Sequence, residues 1–301
     1  MTQASARPGR LAVGVIGAGR VGSVLGAALA LAGHTVVAAT AVSEASRRRA
    51  ATLLPGVPLV RPAEVLARAD LTLLTVPDDV LPALVEGLAT TDTVRTGRLL
   101  AHTSGAHGLA VLAPAVAHGA LPLALHPVMT FPGRPEDLQR LAGVAFGVTA
   151  PDALRPVAEA LVVEMGGEPV WVAESARPLY HAALATGANF LVTLVATAAE
   201  LLAAAGVDVP ARMLGPLLGA ALDNALRQGD AALTGPVARG DSATVAGHLA
   251  ALGTVAPDVV PAYVAMARLT ADRALAAELL APADAEALLD VLAARSPGTP
   301  P

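Results

Sequence analysis

The sequence predicts an α/β protein: a doubly wound parallel sheet over residues 10–173, followed by an all-helical domain over residues 174–295. In the first part, short β-rich runs alternate with helical stretches, as in strands joined by crossover helices. Beyond residue 174 only helical patterns remain. The chain has 301 residues, 54% of them hydrophobic and 15% charged, so two ordinary domains with sizeable cores are expected.

The individual elements follow from the apolar runs and the Gly and Pro residues that bound them. Strands are predicted at 11–17, 35–40, 59–60, 70–77, 98–102, 121–126, 144–149 and 169–172. Helices are predicted at 19–32, 43–53 and 62–67, and then at 175–205, 211–228, 242–252, 257–277 and 283–294. The run LTLLTV at 71–76 is almost wholly apolar, which is typical of a central strand in a parallel sheet.

Composition excludes several classes of chemistry. The chain has no cysteine, so disulfides, thiolate nucleophiles and Cys-ligated metals are excluded, and no metal site is predicted. All twenty basic residues are arginine, which excludes lysine Schiff bases and lysine general acids. The net charge is −5, the arginines are scattered and aromatics make up only 2%, so no nucleic-acid partner is expected.

One uncharged segment, 178–199, is long enough to be compared with a membrane helix, which needs roughly 20 mainly apolar residues. It is rich in Ala and Thr and contains His181, Gly187 and Asn189. We therefore expect a buried helix of a soluble protein and no membrane partner. The polar start MTQASARPGR lacks the pattern of a signal peptide, so a cytoplasmic location is expected.

The first predicted strand runs into GAGRVG at 17–22, a GxGxxG pattern that opens a helix. Gly17 would form the tight turn, Gly19 would let the backbone approach a pyrophosphate, and Gly22 would let the helix pack on the strand. Arg20 and Val21 start the helix, whose free N–H groups attract phosphate. The pattern predicts a dinucleotide site; the alternative is a glycine-rich turn that binds nothing.

The end of the second strand favours NADP over NAD. An NAD site usually places an acid there for the ribose 2′-hydroxyl, but Glu44 comes a turn too late. Thr40, Ser43 and Arg47 could instead hold a 2′-phosphate. Alternatively, the arginines at 47–49 form a solvated helix face and bind no phosphate.

The carboxyl ends of the later strands supply the other candidate residues, since ligands of such sheets lie there. Val76, Pro77 and Thr103 are assigned to the cofactor, and Ser104 and Thr130 to the substrate.

His126 ends the strand before Pro127. It could donate a proton to a carbonyl or imine as hydride arrives, or it could merely cap backbone carbonyls at the strand end. His102, at the end of the preceding strand, is interpreted as structural.

Six segments occur in the order VGVIGAGRVGSVLGAAL, DLTLLTVPDD, HTSG, LHPVMTF, LYHAALATGANFLVTL and ALTGPVARGD. Together they resemble one bacterial family, the Rossmann-like oxidoreductases whose helical part is known as domain of unknown function 2520. The resemblance spans about residues 11–277. More distantly, the chain is similar to pyrroline-5-carboxylate and ketopantoate reductases and to 6-phosphogluconate and prephenate dehydrogenases. The resemblance implies a Rossmann domain followed by a 6-phosphogluconate-dehydrogenase-like helical domain that often builds a homodimer.

The resemblance also assigns roles. In prephenate dehydrogenases the histidine of the matching His-Pro acts on the substrate, which corresponds to His126. In related dehydrogenases a lysine donates the proton one turn before an asparagine. Here Asn189 matches the asparagine, but Ala185 stands in place of the lysine. His181 lies on the same helical stripe as Ala185 and Asn189, so it is a second candidate donor. The alternative is a satisfied core His and Asn.

The loop at 233–241, LTGPVARGD, interrupts two predicted helices. Arg239 could bind a substrate carboxylate, whereas Asp241 could cap the next helix or pair with Arg239. A purely structural loop is the alternative.

The expected function is NADPH-dependent reduction of a small carbonyl compound, by analogy a 2-oxo acid of the ketopantoate type. A cyclic imine acid of the pyrroline-5-carboxylate type is the alternative substrate. The alternative outside the enzyme class is a sensor or scaffold that binds NADP(H) without turnover. Hydride exchange with a deazaflavin cofactor is a further alternative, but no feature of the sequence specifies a site for that cofactor. A homodimer through the helical domain is expected.

Overall fold

A computed structural model describes residues 9–293 of the chain. The tertiary contacts divide the chain into two compact units, one ending at Gly187 and one beginning at Ala188. Two predictions concern residues outside the described part: the nature of the polar start at 1–8 and the last two residues of the helical region, 294 and 295.

The first unit is built on a seven-stranded sheet with the strand order β2-β1-β3-β4-β5-β6-β7. The strands are β1 Ala12–Ile16, β2 Thr35–Thr40, β3 Leu71–Leu74, β4 Leu99–His102, β5 Leu121–Pro127, β6 Ala145–Thr149 and β7 Glu168–Trp171. This confirms the predicted fold class. The expectation of a wholly parallel sheet is wrong at one pair, because β6 runs antiparallel to β5. The intervening segment forms no full crossover helix, which a parallel return would need.

Helices cover both faces of this sheet, as expected of a doubly wound fold. They are α1 Arg20–Leu31, α2 Glu44–Leu53, α3 Pro62–Arg68, α4 Leu81–Ala89, α5 Ala113–Val116, α6 Asp137–Arg140 and α7 Arg155–Glu164. One core lies between the sheet and α1, α2 and α7, and includes Leu25, Leu73 and Phe146. The other lies beneath α3, α4 and α5, and includes Ile16 and Leu100.

Two predicted strands differ from the structure. The short strand at 59–60 is only a single bridge between Leu59 and Ala39. The strand predicted to reach residue 77 ends at Leu74. Beyond it, the Thr75 hydroxyl donates a hydrogen bond to the Gly17 carbonyl oxygen at 2.7 Å, which turns the chain toward the glycine loop.

All regular elements in the described part of the second unit are helices. Helix α8, Arg177–Ala204, begins in the first unit and ends in the second, and α9 Pro210–Gln228, α10 Ser242–Val255, α11 Val260–Ala276 and α12 Pro282–Ala293 follow. The core of this unit lies among α10, α11 and α12, around Leu249, Ala271 and Leu288.

The expectation that the uncharged helix is buried is wrong for the single chain. Only Arg177 is buried in α8, while Leu179, Phe190 and Val192 are 76%, 59% and 70% exposed. The stretch Glu174–Ala204 could cross a membrane by length and composition only, with a hydropathy of 1.6 in its most apolar window. Apolar side chains are spread around α8 rather than along one stripe, so a single layer of neighbours cannot cover them.

Candidate functional site

The glycine loop between β1 and α1 has the three properties that a pyrophosphate cradle needs. Gly17 has a φ of +99°, and a Cβ there would lie 2.9 Å from the Thr75 carbonyl oxygen. A Cβ at Gly22 would lie 2.2 Å from the Thr75 hydroxyl oxygen, so only glycine lets α1 pack here. At Gly19 a Cβ would meet nothing closer than 3.8 Å. The loop is therefore tight at its ends and open in the middle, above the N-terminus of α1.

Thr40 has a role that the sequence did not indicate. Its buried hydroxyl oxygen accepts a hydrogen bond from the Gly17 N–H at 2.8 Å, and its carbonyl accepts one from the Ala18 N–H at 2.7 Å. The end of β2 thus braces the glycine loop. Thr40 therefore lies against the backbone of the glycine loop rather than on a surface open to a 2′-phosphate, and its contact with a cofactor stays a prediction.

The N-terminus of α2 remains open at this edge. Ser43 caps α2 by accepting a hydrogen bond from the Ser46 N–H at 3.1 Å. Glu44, the acid closest to the end of β2, forms an ion pair with Arg48 one turn later. Arg47 is exposed and forms no ion pair among the described residues. Ser43 and Arg47 could therefore hold a phosphate group, because the local carboxylate already has a cationic partner.

The remaining predicted cofactor residues border the same loop or the neighbouring strand ends. Arg20 is exposed at the first position of α1, and Val21 packs against the core below it. A Cβ at Gly17 would lie 3.2 Å from Cγ1 of Val76, and Pro77 follows at the surface. Thr103 is half-buried directly after β4. In parallel strands these ends lie along one edge of the sheet.

The loop after β4 is held by His102, which is fully buried. Its Nε2 lies 2.9 Å from the Gly108 carbonyl oxygen, and its Nδ1 accepts a hydrogen bond from the Ser104 N–H at 3.2 Å. Burial lowers the pKa of His102 to about 4, so the ring is neutral. The buried Ser104 hydroxyl oxygen accepts a hydrogen bond from the His107 N–H at 3.0 Å. Its contact with a substrate stays a prediction.

His126 lies in β5 opposite Gly147 of β6 and is half-buried. Its Nδ1 is 2.8 Å from the Tyr180 hydroxyl oxygen, and its ring meets the rings of Tyr180 and His181 edge-on at centroid distances of 5.6 and 6.3 Å. Burial, followed by the positive charge of Arg177, lowers the pKa of His126 to about 4. His126 is therefore a neutral imidazole near pH 7, not an imidazolium.

The other ring nitrogen of His126, Nε2, has no hydrogen-bond partner within residues 9–293 and is not fully enclosed, so it is partly accessible. A Cβ at Gly105 would lie 3.0 Å from this nitrogen and 2.7 Å from Cδ2 of His181. Gly105 thus leaves the space in which both imidazoles sit. The structure brings His126 and His181 together, as required if either is to serve one substrate.

Arg177 is a site residue that sequence reasoning missed. Its guanidinium is completely buried, and no acid forms an ion pair with it in the described part of the chain. It instead donates hydrogen bonds to four oxygens at 2.9–3.2 Å: the Thr149 hydroxyl and the carbonyls of Ser104, Ala124 and Gly147. One side chain therefore joins the loop after β4 to β5 and β6. The available signal was an arginine immediately before a long uncharged helix.

Tyr180 was also missed. Besides its hydrogen bond to His126, it packs against Gly147, where a Cβ would lie 2.3 Å from the Tyr180 hydroxyl oxygen. The Arg177 guanidinium carbon lies 5.8 Å from the centre of the Tyr180 ring. Burial raises the pKa of Tyr180, while the charge of Arg177 acts in the opposite direction, so the phenol is protonated near neutral pH.

The other predicted residues are not drawn into this cluster by the described contacts. Thr130 is exposed in the loop after β5. Asn189 and Arg239 belong to the second unit, where both side chains are exposed. Asp241 caps α10 by accepting a hydrogen bond from the Thr244 N–H at 3.0 Å, one of the two roles considered for it. The roles of Thr130, Asn189 and Arg239 stay predictions.

Family models match most of the chain in two pieces. A Rossmann-like domain matches residues 1–127, and a domain of unknown function, DUF2520, matches residues 144–270. The chain belongs to the Rossmann-like proteins that carry a DUF2520 domain. The resemblance stated from the sequence motifs is thereby confirmed. No curated protein matches the chain.

Solved structures with this fold cover nearly the whole of the DUF2520 protein. A candidate NADP oxidoreductase of Bacteroides fragilis is 22% identical, with a TM-score of 0.73 over 87% of this chain and 98% of that one. A protein of Thermotoga maritima is 20% identical, with a TM-score of 0.65 over 88% and 99%. Pyrroline carboxylate reductase of Plasmodium falciparum, solved with NADP bound, is 11% identical, with a TM-score of 0.57 over 93% and 99%. At these identities the likeness establishes the fold.

Proposed function

We propose that this DUF2520 protein is an NADP(H)-dependent oxidoreductase that reduces a small carbonyl compound. The observation that carries the proposal is a shared sheet edge. The open glycine loop follows β1, and the accessible Nε2 of His126 is near the end of β5; parallel pairing along the sheet brings both to the carboxyl ends of its strands. Doubly wound sheets bind a dinucleotide and its reaction partner at that edge.

The loop geometry fits the cofactor. Gly19 leaves room for a pyrophosphate, the N-terminus of α1 supplies N–H groups, and Ser43 and Arg47 suit a 2′-phosphate. The similar proteins of B. fragilis and P. falciparum are named for NADP or were solved with it bound. These points support NADP rather than NAD.

When bound, NADPH supplies the hydride for the reduction. The neutral His126 would present an N–H at Nε2 to the carbonyl oxygen and so orient it and polarise its C=O bond. From the sequence pattern and the family resemblance, His181 is the alternative proton donor, and Asn189 and Ser104 orient the group being reduced. Thr130 and Arg239 are assigned to substrate binding. By the same resemblance, the preferred substrate is a 2-oxo acid of the ketopantoate type.

A cyclic imine acid is the alternative substrate, favoured by the likeness to pyrroline carboxylate reductase. A neutral imidazole can hydrogen-bond either a carbonyl oxygen or an imine nitrogen. The two substrates are therefore distinguished by turnover rather than by geometry.

The proposal includes a cytoplasmic homodimer that assembles through the helical unit. Apolar side chains lie exposed there on α8 and α9: Phe190 at 59%, Val192 at 70%, Leu217 at 65% and Leu226 at 79%. A face this apolar is typical of a subunit interface. Sedimentation analysis should give twice the chain mass, and the charge variant Leu226→Glu should shift it toward the monomer.

The test of function is NADPH oxidation with a panel of 2-oxo acids and cyclic imine acids, using the wild type, Arg47→Glu and Arg48→Glu. We expect turnover of one compound class. We also expect Arg47→Glu to weaken NADPH binding by roughly tenfold or more while leaving NADH binding unchanged. Arg48→Glu is the matched control, because Arg48 pairs with Glu44.

Two results would contradict this proposal. Equal loss in both arginine variants would place the 2′-phosphate elsewhere. NADPH binding without turnover of any compound would instead support a sensor, in which His126→Ala leaves the response to NADPH intact.

A further inference from the structure

We propose that Tyr180 supplies the proton for this reduction and that His126 passes it to the substrate, with the buried Arg177 as the counter-charge. The inference rests on the proposed function and identifies the source of the proton within that site. It depends on three adjoining groups, none of which forms an ion pair in the described residues.

The first step is the direction of the hydrogen bond between Tyr180 and His126. The Tyr180 hydroxyl lies 2.8 Å from Nδ1 and makes no other hydrogen bond within residues 9–293. If Nδ1 carried the proton, the phenolic O–H would have no acceptor among those residues. The satisfied arrangement is an O–H donated to Nδ1, which places the ring proton of His126 on the accessible Nε2.

The second step is the path of the proton, which moves from Tyr180 through His126 to the substrate oxygen. As the carbonyl carbon is reduced, its oxygen would take the proton from Nε2 of His126. Nδ1 takes the phenolic proton from Tyr180, so the imidazole ends neutral in its other tautomer. Tyr180 becomes a phenolate and regains a proton from water. An alkoxide is far more basic than a phenolate, so the transfer runs downhill in spite of the raised pKa of Tyr180.

The third step is the charge left on Tyr180. The Arg177 guanidinium is fully buried and its hydrogen bonds go to neutral oxygens, so no carboxylate within residues 9–293 contacts it. Its central carbon lies 5.8 Å from the centre of the Tyr180 ring. A buried cation at that distance would stabilise a phenolate formed during turnover.

The charged and titratable groups around the relay do not offer a better proton source. His126 faces Arg177 and His181 from α8 and Asp78 from the loop after β3. Arg177 faces Tyr180 and Glu174, and the Glu174 carboxylate accepts hydrogen bonds from the N–H groups of Leu109 and Ala110. Among these described groups, His181 is the competing donor, and the kinetic test below separates it from Tyr180.

A spectroscopic test needs neither substrate nor cofactor. In protein with isotope-labelled histidine, the nitrogen chemical shifts of His126 at neutral pH should show a protonated Nε2 and an unprotonated Nδ1. Tyr180→Phe should shift the Nδ1 resonance, and Tyr263→Phe should leave it unchanged. A proton on Nδ1 in the wild type would overturn the relay.

The kinetic test uses the substrate found in the turnover panel. Tyr180→Phe keeps the ring on Gly147, so we expect kcat to fall about 100-fold or more with little change in KM. The wild-type kcat should be nearly constant from about pH 6 to pH 8, whereas an imidazolium donor would lose roughly tenfold per pH unit. His181→Ala should retain this pH profile, and Tyr263→Phe should match the wild type.

The outcomes separate the two proposals. Turnover by the wild type with an unchanged kcat in Tyr180→Phe would overturn the relay and leave the reductase standing. A loss confined to His181→Ala would move the proton source to His181. Absence of turnover in the wild type, with NADPH bound, would overturn the reductase and the relay together.

Discussion

Each of the two tyrosines in the chain forms a hydrogen bond with Nδ1 of a histidine, and the two pairs have similar distances and ring angles. The His126–Tyr180 pair has an N···O distance of 2.8 Å and edge-on rings 5.6 Å apart. In the His248–Tyr263 pair the N···O distance is 2.9 Å and the ring centroids are 6.0 Å apart, with the same 88° between the rings. They differ in their surroundings. The first lies at the strand ends beside a buried arginine, and the second joins α10 to α11 at the surface.

The hydrogen bond between a tyrosine and a histidine therefore does not by itself define a site. His126 is half-buried, the positive charge of Arg177 lies near it, and its Nε2 remains partly accessible. At His248 the side chain is exposed and no arginine stacks on the partner tyrosine within residues 9–293. The same pair of side chains can thus belong to a functional site at one position and form only a surface contact at another.

The largest effect of a single substitution is expected from removing the cation that distinguishes the first pair. Arg177→Met leaves three buried carbonyls and the Thr149 hydroxyl without their donor. We expect a loss of about 3–5 kcal/mol in the free energy of unfolding. Trp171 is the only tryptophan and lies in β7, so its fluorescence follows the first unit.

Arg68→Met is the matched control, because Arg68 is exposed on α3 of the same unit and forms one surface ion pair with Glu64. It should change the free energy of unfolding by no more than about 0.5 kcal/mol. If both substitutions lowered the free energy of unfolding equally, the buried Arg177 would stabilise the fold no more than a surface arginine does.

The next effect is a loss of stability in acid, confined to the first unit. Burial lowers the pKa of His102 and of His126 from 6.5 to about 4. Between these values the unfolded chain binds protons that the folded chain does not, so the free energy of unfolding falls as the pH falls from 6.5 to about 4. Each histidine accounts for roughly 3 kcal/mol when the shift is complete.

Urea unfolding followed by Trp171 fluorescence, at neutral pH and near the lower pKa, measures this loss. His102→Gln should reduce the pH dependence by about half, since two histidines contribute. A free energy of unfolding that does not change over the interval would contradict the buried, neutral state of both rings.

The sequence alone predicted the elements of this site that are local. The GxGxxG loop after an apolar strand, the strand-end His126 and the change to helices near residue 174 all depend on neighbouring residues. Arg177 and Tyr180 were missed because their roles arise from contacts with segments distant in sequence, such as Ser104 and Gly147. The reversed β6 and the exposed face of α8 were missed for a related reason: apolar patterns do not encode strand direction or what covers a helix.

A smaller effect should follow from filling the space that Tyr180 occupies. A Cβ at Gly147 would lie 2.3 Å from the Tyr180 hydroxyl oxygen, so Gly147→Ala must displace the tyrosine from His126. We expect a loss of about 1–3 kcal/mol, measured by thermal unfolding with Trp171 fluorescence. Gly187→Ala is the control, because nothing lies within 4 Å of a Cβ there. An alanine in α8 should leave stability equal or slightly higher. A Gly147→Ala protein as stable as the wild type would show that Tyr180 is not fixed against β6.

The smallest effect is expected at the second pair itself. Tyr263→Phe removes the hydroxyl that contacts the exposed His248 and keeps the ring that packs beside the core of the helical unit. Since water can replace the lost hydrogen bond, the free energy of unfolding should change by about 0.5 kcal/mol or less. The measurement is chemical unfolding followed by circular dichroism, which detects the helical unit. A loss of several kcal/mol would mean that the surface pair is as strongly coupled to the fold as the buried one, and that the presence of Arg177 is not what separates them.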